Sequence, residues 1–318
     1  MDALYVMFPL ALMMATPLIL GALGGLFSER AGIVNIAIDG TMQIGAFCAM
    51  LCVLFFDANG IENGKWIALI IASLAGALYI SIHALASIHF RADQTISGTA
   101  LNVLAGGLTI YLCQVMFKTF STPPISASSG FKKFDIPLLS DIPIVGKLFF
   151  TNIYSTTILA FILVFITWFI LFKTPFGLRL RACGENPQAS ASMGIHVVRM
   201  RWIAEWISGA LSGLAGAVLV LTTSSFYYAG TVHGLGFVAV ATLIFGKWDP
   251  WKVFGAGIFF GFAQVLGIYS SSIPILSKLP SQLFALFPYI ITIFALIIFS
   301  NSQVAPKAVG EIYDEGKR

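Results

Sequence analysis

Residues 4–27, LYVMFPLALMMATPLILGALGGLF, run without a single acidic or basic side chain. As a helix rising 1.5 Å per residue, the stretch covers about 36 Å, enough to cross a hydrocarbon layer about 30 Å thick. The preceding Met1-Asp2 has no basic n-region and no cleavage site follows, so the stretch is expected to be a retained span, not a secretory signal. The rest of the chain has the same character: 58% of its 318 residues are hydrophobic, 10% are charged, and the mean hydropathy is +0.90. That is more apolar surface than a soluble core can bury, and it defines an integral membrane protein.

Further apolar runs fall at 41–56, 66–90, 95–117, 152–172, 202–221, 236–246, 250–270 and 283–300. The expected fold is therefore an all-α polytopic bundle of about nine (8–10) transmembrane helices with short or re-entrant segments near the centre, an even number of crossings with a re-entrant segment being the alternative. The runs 41–56 and 236–246 are too short to cross alone. They are expected to extend backward through Ile33 to Gly40 and Thr231 to Gly236, with irregular backbone shielded inside protein, which places both near a central pathway.

Orientation rests on the basic residues of two loops. Residues 173–201, KTPFGLRLRACGENPQASASMGIHVVRMR, carry Lys173, Arg179, Arg181, Arg199 and Arg201 against Glu185; the loop 118–151 carries Lys118, Lys132, Lys133 and Lys147 with Asp135 and Asp141. The second is longer, is rich in Pro and Ser from Ser121 to Gly130, and reads as a folded external segment. Taking the first as cytoplasmic places the tail, Lys307 to Arg318, inside and, with nine crossings, the amino terminus outside.

The basic loop has its own helix signal. Asn186 is a good N-cap, Pro187 suits the first helical position, and Gly194 suits the left-handed stop. A short helix over Pro187 to Met193 follows, thin-sided because of Ala189, Ser190, Ala191 and Ser192, with the shape to enter a groove; an ordinary interhelical loop is the alternative.

Gly21 and Gly25, Gly209 and Gly213, and Gly257 and Gly261 form G-x-x-x-G pairs, the signature of close helix packing where lipid supplies no hydrophobic drive. GALGGL at 21–26 and GALSGL at 209–214 nearly repeat, but in a chain this rich in Gly, Ala and Leu chance accounts for the match.

Groups able to do chemistry are few. The Gly-Lys pairs at 64, 146 and 246 lack the rest of a phosphate-binding loop, and none of His83, His89, His196 and His233 lies in an H-E-x-x-H motif, so no nucleotide hydrolysis is expected of the chain itself. The four cysteines, Cys48, Cys52, Cys113 and Cys183, have neither disulfide-framework nor metal spacing; no metal or cofactor is expected. Intramembrane carboxylates are nearly limited to Asp39 and Glu205, the latter four residues after Arg201 and placed to pair with it. That poverty argues against an ion-coupled secondary transporter, and the missing catalytic constellation against a membrane enzyme.

Asn35, Asp39 and Gln43 recur every four residues and, if helical, form one polar stripe that must face protein or a water-filled cavity. With Asn102, Gln114 and Gln264 they offer amides that both donate and accept, as sugar hydroxyls and base edges require; interhelical hydrogen bonding is the competing role. Phe226, Tyr227 and Tyr228 fit an interfacial aromatic belt, with base stacking or an external partner as alternatives.

Three stretches, GLFSERAGIVNIAIDGTMQIGAF at 25–47, GLRLRACGENPQASASMGI at 177–195 and GLGFVAVATLIFG at 234–246, resemble the permease subunits of bacterial ABC importers of the branched-chain amino acid and simple-sugar type, with wording nearest to nucleoside permeases. The resemblance spans nearly the whole chain and implies a single permease domain over 1–318 that forms half of a nucleoside pathway in the cell membrane. It implies as partners a second, related permease, two ATP-binding subunits or one fused double ATPase, and an extracytoplasmic substrate-binding protein; no nucleic acid is expected. It makes 173–201 the coupling loop, with Gly184, Glu185, Asn186, Pro187, Ala189 and Gly194 at the ATPase, although Cys183, Ser190 and Ser192 look less typical. The polar stripe and the amides make Asn35, Asp39, Gln43, Asn102 and Gln264 the candidates for the substrate pathway. Simple sugars or branched-chain amino acids are the alternative cargo.

Overall fold

The computed structural model describes residues 2–61, 63–126, 129–137, 140, 145–269, 290 and 305–314. In chain order the elements are α1 (Asp2–Arg30), α2 (Ile38–Ala58), α3 (Gly64–Ala84), which continues into a π-helical turn (Leu85–His89), and α4 (Gln94–Phe117). They continue with β1 (Lys133–Phe134), α5 (Val145–Phe149), β2 (Ile153–Tyr154), α6 (Ser155–Lys173), α7 (Pro175–Glu185), α8 (Pro187–Ser192), α9 (Val197–Thr223), α10 (Leu235–Phe245) and α11 (Pro250–Tyr269). The two short strands pair antiparallel, Lys133 opposite Tyr154.

Among the described residues, six helices are long and apolar enough to cross a membrane: α1, α2, α3 with its π turn, α4, α6 and α9. The chain is thus an all-α, multi-pass membrane bundle. The expected span 283–300 lies outside the described residues, apart from residue 290. The run 41–56 proves to be part of a 21-residue helix, long enough on its own; α10, with 11 residues, stays short.

Burial ranks the helices. The most apolar windows of α1 and α9 are each 78% buried, against 22% for α4 and 28% for α6, so α1 and α9 form the centre and α4 and α6 the rim. Small residues make that centre possible. A Cβ on Gly213 would run into the Ala72 carbonyl of α3, one on Gly45 into the Gly213 backbone, and one on Gly216 into the Met42 carbonyl. Helix axes this close gain dispersion along their whole contact. The other expected seams hold as well: Gly21 and Gly25 face Ala239, Ile38 and Leu243, whereas Gly257 and Gly261 face Ile19, Ala11 and Ala15 of α1. The near-repeats also meet, since Gly24 packs on Ser208 and Ser212.

The two ends of the bundle differ. At the start of α9, the Ala308 N–H of the tail donates to the Gly184 carbonyl at 2.8 Å, so tail and basic loop share one end. At the other end, Thr122 and Ile125 N–H groups donate to the Tyr227 and Ser225 carbonyls at 2.9 and 2.7 Å, so the segment after α4 folds over the far end of α9.

Candidate functional site

Between α1 and α2 the helix breaks inside the protein. Gly32, at φ +94°, ends α1, and the backbone from Ile33 to Ile36 is non-helical although Ile33 and Asn35 are buried. Its polar groups need partners, and side chains supply them. Ser28 Oγ donates to the Ile33 carbonyl at 2.9 Å. The Val34 N–H donates to Gln94 Oε1 at 2.7 Å, and the Val34 carbonyl lies 3.1 Å from His83 Nε2. Asn102 clamps the restart of the helix, its Nδ2 donating to the Ile36 carbonyl at 2.9 Å and its Oδ1 accepting from the Gly40 N–H at 2.7 Å.

Asp39, one residue into α2, reaches the start of the short α10. Its Oδ1 accepts from the Gly236 N–H at 3.0 Å, while Oδ2 accepts from Gln43 Nε2 at 3.0 Å. A carboxylate there complements the positive end of α10 and uses one of its free first-turn N–H groups. Only glycine fits at 236, since a Cβ would strike the Asp39 backbone. Two helix starts, each preceded by irregular chain, therefore meet at one carboxylate inside the bundle.

The expected stripe needs correction. Asp39 and Gln43 share a helix face, but Asn35 lies in the non-helical break, and its Nδ2 donates to Ser208 Oγ of α9 at 2.9 Å. Asn35 Oδ1 and Gln43 Oε1 are buried with no hydrogen-bond partner. Gln114 is exposed near the end of α4. Gln264 is half-buried on α11, whose seam runs along α1, and is not brought to the Asp39 group.

The basic loop folds into two capped helices. Asn186 Oδ1 accepts from the Ala189 N–H at 2.9 Å, and Gly194, at φ +81°, closes α8 with its N–H to the Ala191 carbonyl and that of Ile195 to the Ser190 carbonyl. The preceding α7 was not expected, although Thr174-Pro175 repeats the cap signal of Asn186-Pro187, with Thr174 Oγ1 accepting from the Gly177 N–H at 3.2 Å. Pro187 and Ser190 face inward, whereas Glu185, Asn186, Gln188, Ala189 and Ser192 are exposed and Met193 is 82% exposed at the tip. Burial pushes the Cys183 thiol up from its ordinary pKa.

Behind this loop lies a joint with the break. A Cβ on Gly184 would strike the Arg30 carbonyl, and Gly32 faces Gly184, Arg201 and Ala308. Arg201 does not pair with Glu205 as its spacing suggests. Its Nη1 instead donates to the tail's Glu311 carbonyl at 3.3 Å, and the guanidinium sits 5.8 Å from the centre of the Tyr313 ring. The Glu205 carboxyl instead hydrogen-bonds to Ser28 Oγ of α1, across the α1–α9 contact. The α8 loop, the tail and the break leading to Asp39 thus converge on residues 30–32.

Tyr227 is likewise no belt residue. It is fully buried, its hydroxyl donates to Thr109 Oγ1 at 3.0 Å, and its ring meets Phe47 edge-on at 5.5 Å. Desolvation raises the pKa of its phenol. Phe226 and Tyr228 on either side are exposed.

Broken helices meeting at a buried carboxylate, with a capped helix-turn at one end, define a polytopic membrane protein of transporter type. A family described as branched-chain amino acid transport system / permease component matches residues 8–296, and the chain belongs to that family. It is 48% identical to the guanosine ABC transporter permease protein NupQ of Bacillus subtilis, over 99% of this chain and 98% of that one. It is 39% identical to the nucleoside ABC transporter permease protein NupC of Lactococcus lactis, over 96% of both. It also matches the guanosine ABC transporter permease protein NupP of Bacillus subtilis at 29% identity, over 95% of this chain and 83% of that one. No solved structure matches the chain.

Proposed function

We propose that this chain, as one permease domain over 1–318, is half of the translocation pathway of an ATP-driven nucleoside importer in a bacterial cell membrane. The observation that carries the reading is 48% identity, end to end, to a protein named as a guanosine permease. That two permease proteins of one organism both match supports a heterodimer with a second, related permease. ATP hydrolysis falls to separate ATP-binding subunits, or one fused double ATPase, and delivery to an extracytoplasmic substrate-binding protein.

The exposed face of α8 is the ATPase contact, with Glu185, Asn186, Ala189 and Gly194 in it and Pro187 and Gly184 setting its pose. The pathway runs past Asp39 and Gln43. Asn35 and Asn102 hold the break that presents them, and the half-buried amide of Gln264 lies along a separate stretch. Because Gly184 packs directly on Arg30 at the head of that break, tilting α8 would move residues 30–36 and, through them, Asp39.

The test is uptake of labelled guanosine by cells expressing the complete transporter, with nucleosides, ribose, glucose and leucine as competitors. Competition by nucleosides alone is expected; competition by sugars or leucine alone would assign the other cargo. The double variant Asn186→Ala/Pro187→Gly, losing the cap at a cost of about 1 kcal/mol, is expected to insert normally yet hydrolyse ATP with uptake cut several-fold. Unchanged uptake at unchanged hydrolysis would exclude α8 from coupling.

A further inference from the structure

Just before α10, three rings stand together at the surface. Tyr228 Oη and His233 Nε2 are 2.7 Å apart, their ring centres 5.7 Å apart at 72°. Phe226 lies beside Tyr228 at 5.9 Å and 35°. All three are exposed, and three residues after His233 the Gly236 N–H meets Asp39.

The backbone beneath them is fixed. Tyr228 pairs with Ser121 across an antiparallel bridge, and a turn ties Tyr228 to Thr231 twice, at 3.0 Å to the hydroxyl and 2.8 Å between backbone groups. Gly230 leaves room for the Tyr228 ring, since a Cβ there would strike that ring at 2.6 Å. His233 holds φ at +47°, a left-handed conformation that is uncommon for a residue with a side chain and clusters at functional positions.

A rigid turn that presents aromatic faces and a hydrogen-bonding imidazole to open space is poorly suited to lipid, which has no partner for the polar atoms. It suits a flat ligand with a polar edge. We infer that Phe226, Tyr228 and His233 form a station for the base of a nucleoside on its way to Asp39 and Gln43. This rests on the nucleoside reading above. The two aromatic rings already touch, so the base stacks on their open face, not between them. His233 Nδ1, which has no hydrogen-bond partner among the described residues, is left to meet the base edge. Stacking tolerates any base and is modest in strength, which lets cargo move on.

Two measurements on the complete transporter test this. In the first, Phe226→Ala/Tyr228→Ala is expected to lower guanosine uptake about tenfold at equal surface amount, the size of one lost stacking contact, whereas Tyr228→Phe, which keeps the ring, stays within about threefold of wild type. In the second, 8-azidoguanosine is photolysed on the wild-type complex. The label is expected between residues 226 and 233, and to be suppressed by guanosine but not by ribose. Wild-type uptake in the double variant, a loss in Tyr228→Phe as large as in the double variant, or a label confined to other segments each overturns the station and leaves the importer reading intact. A wild-type complex that takes up no nucleoside overturns that reading, and the station with it.

Discussion

Asp39→Ala is expected to cut transport at least about thirtyfold while the chain still inserts, because one buried and one partly buried donor lose their acceptor. The Gly236 N–H and Gln43 Nε2 both end on this carboxylate. Orphaning the buried Gly236 N–H costs about 1–3 kcal/mol and also removes a partner from the start of α10 inside the bundle, and the partly buried Gln43 amide adds a smaller loss. Asp39→Asn is expected to lose far less, since its Oδ1 can still accept from Gly236 and the Gln43 amide can turn its oxygen toward the new Nδ2. Initial uptake at matched membrane amounts separates the two variants. Equal, severe losses would mean that the charge itself is required; near-normal transport in Asp39→Ala would remove Asp39 from the pathway.

Gly213→Val is expected to have the largest effect on the fold. At this position α9 lies against the backbones of both α2 and α3, and a Cβ would meet the Ala72 carbonyl and Gly76. No flexible side chain can yield there, so the penalty exceeds the about 1–3 kcal/mol of ordinary overpacking. Little monodisperse protein should survive detergent extraction. Gly107→Val on α4, where a Cβ meets nothing within 4 Å, is the control and should extract like wild type. Comparable yields for the two variants would refute the glycine-mediated centre.

The spans were legible because hydrocarbon imposes length and apolarity on every crossing: α1, α3, α4, α6 and α9 lie where the apolar runs place them. What escaped the sequence were the choices made in three dimensions. The period of Asn35, Asp39 and Gln43 suggests one helix, but Gly32 breaks the chain first and side chains of α3 and α4 sustain the break. Arg201 and Glu205 have the spacing of a pair, yet each finds a tertiary partner, the tail carbonyl and Ser28, that no spacing rule reveals. Helix α7 did leave a signal, Thr174 before Pro175, hidden by the polar character of the loop. Of the candidate site, α8 and its caps were readable to within one residue because capping is local chemistry. The Tyr227 plug was not, because its burial depends on Thr109 and Phe47, distant in sequence.

The central claim is that this chain passes nucleosides and that ATP hydrolysis on a partner drives it. Proteoliposomes holding the complete transporter, supplied with the binding protein and labelled guanosine, test it directly: one set carries ATP inside with ion gradients collapsed, the other a proton or sodium gradient and no ATP. Accumulation in the first set alone is the predicted result. Accumulation in the second set without ATP, or no guanosine entry in the first while a sugar or leucine enters, would contradict the account.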